Sequence, residues 1–505
     1  MYARLQSRSV LAGLLPLGAL AATFALTLAL RLRQEPAPLG FDEYASLYFS
    51  GRSFTELWGP WMLRETNPPL FYTLLKLWRM AVPDSQPALR LLPLLLSLAQ
   101  IGLITRLAGR RWGWAAAAMA VLLFALSPSD IYQSEYLRGY VLAKLAVTVS
   151  FLGLLAALEE GRPNPPRGWG LYVGGAVVAV YSHTTMLLWP AIATLAVLAE
   201  ASLRRGVGRT ALLRLLAANL AVALLSGWAL WIAAAQVRAA SANIAWIEPL
   251  SFADWLSSVN LQLLLDGEVG SALMAALMAI GAIRTFRDRA TRLALFIVIA
   301  ALLAFKVADH VHPIISDYTL HWCASFTVLL AAAALARGDG IVVRGGALAL
   351  VAAVGLYELV TLVWIPEPQD WRRTVQTVAH SPNSALLVSH EAVGLVVQQA
   401  CMLEYHGPGC PFPLVVMASR APTDAWAFGG YRGRITPVPQ VRAALVPARR
   451  VYAFSRYVYT PLPPLGLDEN RYRRVEWDDG ELIGPIPAAD FRGHDFRRRN
   501  GRKLL

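Results

Sequence analysis

Asp42 and Glu43 stand side by side in FDEYASLY, about ten residues after a long apolar run and just ahead of aromatic residues. A carboxylate there can take the proton of an attacking hydroxyl, which is the work of a general base. SPSDIYQSEYLRGY gathers Glu135, Arg138 and Tyr140, and a guanidinium at such a place can grip a phosphate by two parallel contacts. Lys76 follows Pro68 and Pro69 in NPPLFYTLLKLW, where two prolines suit the first turn of a helix. Arg90 opens the next apolar run in ALRLLPLLL, and His183 sits in YSHTTM. The set offers an acid to accept a proton and cations to hold a departing phosphate. A divalent cation could share the phosphate work, although no dedicated metal cage is visible. Taken singly, each has an ordinary reading: a solvated loop acid, a snorkelling lysine, a packed histidine, an arginine capping an acid.

These residues belong to a chain built for lipid. Its 505 residues are 56% hydrophobic and only 16% charged, with a mean hydropathy of +0.46. A soluble domain carries about 25% charge, so the balance is that of a membrane protein. The net charge is +13, but most of the arginines lie in short loops and near the C-terminus. They act as topology determinants and anionic-lipid contacts rather than as a nucleic-acid surface.

A crossing takes roughly 20 apolar residues. Apolar runs predict spans at 10–30, 89–108, 114–127, 140–158, 169–182, 185–202, 211–233, 270–283, 293–308, 320–336 and 345–364. Arg31 and Arg33, not small residues, follow the first run, so it reads as an uncleaved span rather than a signal peptide. One threading puts GRRWG, EEGRPNPPR, RRGVGR, IRTFRDRATR and ARGDG inside, in accord with the positive-inside rule. The N-terminus is then cytoplasmic. Residues 31–88 lie outside as interfacial helices with a tryptophan belt. Asp42, Lys76, Arg90 and Arg138 fall together at the outer edge of the bilayer.

From residue 366 the pattern changes. The runs SALLVSH, FPLVVMAS and ARRVYAFS read as strands, and WRRTVQTVAH and EAVGLVVQQACMLEY read as helices. This predicts a small α/β domain over 366–505 on the extracytoplasmic side, ending in a flexible basic tail. It contains no P-loop, GxGxxG or GxSxG motif. Cys401 and Cys410 flank a Gly-Pro-Gly turn and can pair in an oxidising compartment, whereas Cys323 lies in an apolar run as a packed thiol. The fold class is thus an α-helical polytopic membrane protein of about eleven transmembrane helices (1–365) with an added α/β domain.

Read in order, FDEYASLYFS, NPPLFYTLLKLW, ALRLLPLLL, SPSDIYQSEYLRGY, YSHTTM and QDWRRTVQTV resemble the pattern of bacterial GT-C polytopic glycosyltransferases. The branch in question holds protein O-mannosyltransferases and lipid A aminoarabinose transferases. The likeness covers roughly residues 10–380, and its specificity lies in the ordered set rather than in any one motif. It implies an inner-membrane enzyme that takes a sugar from a polyprenyl-phosphate donor and inverts the anomeric carbon. The acceptor would be an extracytoplasmic lipid, glycan or protein. Asp42 matches the family's loop Asp and would be the general base, with Glu43 beside it as a supporting acid. Lys76, Arg90, Glu135, Arg138, Tyr140, His183 and Tyr318 would line the substrate site. Three positions depart from the pattern. Asn67 replaces the usual His before the Pro-Pro pair, Glu135 precedes Arg138 by three residues rather than two, and Asp317-Tyr318 stands where Arg-Tyr is common.

Two other classes compete. A transporter or flippase would keep ionisable residues near mid-membrane and often shows repeated halves. Here Lys144, Lys306 and Glu358 fall toward the outer ends of spans, and no internal repeat is visible. An inactive scaffold of the same fold is the third reading, and the motif departures are its support.

Overall fold

The computed structural model describes residues 23–32, 38–159, 165–203, 207–239, 267–311, 313–315, 318–336, 340–361, 371–388, 390–417, 435–436, 438–445, 447–456, 471–477 and 480–493, with a few isolated positions between them. The start of the first expected span, Asp317, most of the 234–268 loop and the basic tail lie outside the described residues.

Helix α1 (Thr23–Leu32) precedes the segment expected to lie outside the membrane. That segment holds α2 (Phe41–Ser50), α3 (Phe54–Leu57), a 3-10 turn at Pro60–Arg64 and α4 (Leu70–Ala81). The helical region continues as α5 (Gln86–Trp112), α6 (Trp114–Leu126), α7 (Pro128–Glu135), α8 (Tyr140–Leu158), α9 (Pro165–Ser182), α10 (Trp189–Leu203), α11 (Arg209–Leu225) and α12 (Gly227–Ala239). It ends with α13 (Glu268–Thr285), α14 (Arg289–Val311), α15 (Ala324–Ala332) and α16 (Ile341–Thr361). Among the described residues six helices are long and apolar enough to cross a membrane, or eight if each of two bent pairs forms one span.

The bent pairs are informative. Residues 211–233, expected as one span, form α11 and α12, which meet at 64°. The break falls at Ser226–Gly227, the kind of small-residue pair at which helices kink. The second pair, α6 and α7, turns by 70°. There Ser127 accepts a hydrogen bond from Asp130 N at 3.1 Å as an N-cap, and Pro128 occupies the first turn.

Small residues let helices approach closely, and polar contacts then link them. Helices α8 and α9 meet in this way at Gly153 and Gly168, where a Cβ on Gly168 would lie 2.7 Å from Ala157 N. Ser150 Oγ donates to Tyr172 O and accepts from Trp189 Nε1, both at 2.9 Å, tying α8 to α9 and α10.

The C-terminal part adds α17 (Trp371–Ala379), β1 (Ser384–Val388), α18 (Glu391–Tyr405), β2 (Leu414–Met417), β3 (Ile435–Thr436), α19 (Val438–Leu445), β4 (Arg450–Arg456), β5 (Arg474–Trp477) and β6 (Gly480–Pro487). The sheet order is β3-β2-β1-β4-β6-β5. Its first four strands are parallel, and β6 pairs antiparallel with β4 and β5. Alternate side chains of β1 serve two cores. Ala385 and Leu387 face Val441 and Leu445 of α19, while Leu386 and Val388 join the α18 side. Burial on both faces explains why ALLV, residues 385–388, is an unbroken apolar run.

The α18 core also holds Phe41, Tyr44 and Tyr48 of α2 and Phe71, Tyr72 and Leu75 of α4. Trp371 joins them, with ring centroids 6.2 Å from Phe41 and 5.1 Å from Phe454. The sheet domain therefore braces the helix that carries Asp42 and Glu43. A disulfide links Cys401 of α18 to Cys410, and Cys323 is a buried free thiol.

Candidate active site

Helix α2 presents its acids in opposite directions. Of its ten residues only Asp42 is not buried. Glu43 turns inward, where its carboxylate accepts from Gly40 N at 2.9 Å, Leu137 N at 3.2 Å and Arg90 Nη2 at 3.3 Å. Burial raises its pKa above the ordinary range, against the opposing pull of Arg90 and the two N–H donors. Arg79 of α4 fixes the other end of α2, donating to Leu47 O and Ser50 Oγ at 3.0 Å each.

Asp42 Oδ2 accepts from the Tyr136 hydroxyl at 3.3 Å and lies 3.4 Å from Arg138 Nη2. Arg138 also donates through Nη1 to the Tyr72 hydroxyl at 3.1 Å, and Tyr72 in turn donates to Glu65 Oε1 at 3.1 Å. Asn67 donates to the same Glu65 oxygen through N and Nδ2, each at 3.1 Å. A chain thus runs from Asp42 through Arg138 and Tyr72 to Glu65 and Asn67. Burial acts to lower the Arg138 pKa, but Asp42, Tyr72 and Glu65 outweigh it and hold the guanidinium firmly charged. Burial raises Glu65, with Arg138 working against it. The turn carrying Glu65 is itself held by Gln236 of α12, which donates to Met62 O and Glu65 O, and by Thr184, which donates to Thr66 O.

Arg90, near the start of α5, bridges α2 and α7: besides Glu43 it faces Glu135 Oε2 at 3.8 Å. Its Nε and Nη1 and the Oε1 of Glu135 are buried with no hydrogen-bond partner among the described residues. Beside Asp42 the tyrosine rings cluster. Tyr132 stacks on Tyr136 at 5.2 Å and on Tyr318 at 5.5 Å, and Tyr140 lies 6.3 Å from both Tyr136 and Tyr318. The His183 ring centroid is 4.7 Å from that of Tyr140. Burial, and then the Arg138 charge, push His183 down to about 3, so it is neutral. Its Nδ1 caps the following turn by accepting from Thr185 N at 3.4 Å.

Eight of the nine expected site residues therefore meet in one place: Asp42, Glu43, Arg90, Glu135, Arg138, Tyr140, His183 and Tyr318. Lys76 is the exception, its ammonium lying over the Phe54 ring at 5.5 Å. Glu65, Tyr72 and Tyr136 are additions that sequence reasoning missed. Asn67, noted only as a departure, proves to be a Glu65 donor. Among the described residues no group of three or more His, Cys, Asp or Glu side chains could hold a metal ion.

The fold has known counterparts. ArnT from Cupriavidus metallidurans in its apo state superposes with a TM-score of 0.62 at 14% identity, over 95% of this chain and 99% of that one. The same protein bound to undecaprenyl phosphate gives 0.61 at 13% identity, with the same coverage. No family model matches the sequence, and no curated protein matches it. The likeness is one of fold, and it is the GT-C glycosyltransferase fold that the ordered motifs implied.

Proposed function

We propose that this chain is a membrane glycosyltransferase. It moves one sugar from a polyprenyl-phosphate donor to a hydroxyl of an extracytoplasmic lipid, glycan or protein, with inversion. The observation that carries this reading is the isolation of Asp42. It is the one non-buried residue of a helix otherwise locked in place, and it lies next to a half-buried, charged arginine. Asp42 takes the acceptor hydroxyl's proton as that oxygen bonds to the anomeric carbon. The bond from that carbon to the phosphate oxygen breaks, and the electron pair leaves with the phosphate. Arg138 and Arg90 hold that developing charge. Glu43 keeps Arg90 and the Leu137 turn in register instead of meeting substrate. The tyrosines and His183 form the wall on which the sugar is oriented. Binding of undecaprenyl phosphate by a protein of this fold supports the choice of donor lipid.

The test is transfer of radiolabelled sugar by the purified full chain. Pooled bacterial polyprenyl-phosphate sugars serve as donors and membrane extract as acceptor. Product that requires Asp42 supports the reading, and a well-folded wild type that transfers nothing from any such donor sinks it.

A further inference from the structure

One buried acid takes no part in the chemistry above. Asp130 lies in the first turn of α7 and is 1% exposed. Its Oδ2 accepts from Arg31 Nη2 of α1 at 2.7 Å, and its Oδ1 pairs with Lys144 Nζ of α8 and lies 3.6 Å from His321 Nε2. Arg31 is further held by Phe124 O at 3.2 Å, and the Lys144 ammonium lies over the Phe124 ring at 4.9 Å. Three separate segments of the bundle thus converge on one carboxylate at the foot of α7. The other end of α7 and the turn after it make the contacts that define the candidate site: Glu135 to Arg90, Tyr136 to Asp42 and Leu137 N to Glu43. An eight-residue helix is about 12 Å long and behaves as a rigid rod, so a displacement at Asp130 is delivered to Tyr136 and Leu137.

We propose that Asp130 is a positioning residue for sugar transfer: by anchoring α7 to Arg31, Lys144 and His321 it sets where Tyr136 and Leu137 meet Asp42 and Glu43. The inference rests on the glycosyltransferase reading for its functional half and on these contacts for its structural half. Asparagine keeps the shape of the side chain but leaves Arg31 and Lys144 as buried cations with no counter-charge, a state the helix escapes by moving.

The experiment compares wild type with Asp130→Asn in full-length purified protein, reading two quantities. The first is kcat and donor KM per folded molecule; kcat is expected to fall about 100-fold, the effect of a shift near 1 Å, with KM nearly unchanged. The second is hydrogen exchange at the Leu137 amide, which reports its bond to Glu43 directly. That amide is expected to lose protection while those in the middle of α8 keep theirs. If Asp130→Asn fails to fold, Asp130→Asn/Lys144→Gln removes one charge of each sign, and the same two changes are expected in it. A folded variant with Leu137 protection intact, or with wild-type kcat, overturns the proposal. If the wild type itself transfers no sugar, the glycosyltransferase reading fails, yet loss of Leu137 protection still upholds the placement of α7 by Asp130. A purely stabilising Asp130 would lower the melting temperature and leave both readouts of the folded fraction where they were.

Discussion

Asp42 and Glu43 are chain neighbours on the first turn of α2, yet 43% of the Asp42 side chain is exposed against 4% of the Glu43 side chain. The two substitutions should therefore part company. Asp42→Asn removes the proton acceptor at an open position. Transfer should fall roughly a hundred- to ten-thousand-fold with the melting temperature almost unchanged. Glu43→Gln leaves Arg90 a buried cation with one fewer counter-charge, and destabilisation of about 3–5 kcal/mol is expected, with partial activity in whatever folds. Activity and thermal unfolding of both variants check this, and equal melting losses would remove the distinction.

Arg138 is expected to act on donor binding as well as on rate, since it supplies charge-assisted bonds to phosphate. Arg138→Ala should weaken retention of undecaprenyl phosphate by about 10- to 100-fold, the range of a hydrogen bond to a charged group. Tyr72→Phe deletes only the hydroxyl that donates to Glu65 and receives Arg138 Nη1. A loss near fivefold, equivalent to ~1 kcal/mol, is expected there. Binding of labelled undecaprenyl phosphate to each variant decides, and an Arg138→Ala protein that binds like wild type removes the phosphate role.

The legible parts of this molecule are those written in local pattern. The 140–158 run matches α8 because an apolar stretch of that length has few alternatives in lipid, and the short apolar C-terminal runs returned as strands β1, β2 and β4. The break at Ser226 was also visible in principle, as a serine-glycine pair inside an apolar run. The illegible parts depend on contacts distant in sequence. Glu65 gains meaning only from Arg138, and Asp130 only from Arg31, 99 residues away. Lys76 shows the reverse: a lysine in a promising motif whose ammonium lies over the Phe54 ring.

The arginine-rich loops that orient the expected spans predict that residues 366–505 lie outside the cytoplasm. A reporter fused after Asp370 should be active only if it works outside the cytoplasm. Activity of a cytoplasm-only reporter at that junction would invert the threading.

The Cys401–Cys410 bond closes a short loop at the end of α18, and Cys401 lies in the same core as the α2 residues Phe41, Tyr44 and Tyr48. Alkylation of denatured, unreduced protein should find one thiol, Cys323. Cys401→Ala/Cys410→Ala should cost about 2–3 kcal/mol by the loop-entropy estimate for roughly ten residues. Three reactive thiols would show that the bond does not form.

Acid should loosen the sheet domain through His390. This ring is 8% exposed, and its Nδ1 accepts from Ala392 N at 3.1 Å as the N-cap of α18. Burial pushes its pKa down to about 4 from an ordinary 6.5, and a protonated Nδ1 could no longer accept the capping bond. The unfolded chain therefore binds the extra proton between pH 6.5 and about 4 while the folded chain does not. Stability is complete above 6.5 and falls with pH through that window, by about 3 kcal/mol in all. His183 works in the same direction, whereas the raised Glu43, Glu65 and Glu391 work against it. The total pH slope is thus a mixture, and a variant must isolate the His390 share. His390→Asn serves, since asparagine is itself a favoured N-cap and does not titrate. Unfolding free energies of wild type and His390→Asn should be similar at pH 7.5 and should diverge toward pH 4.5, with the wild type losing more. Parallel curves over that range would show that His390 is not the acid-sensitive cap.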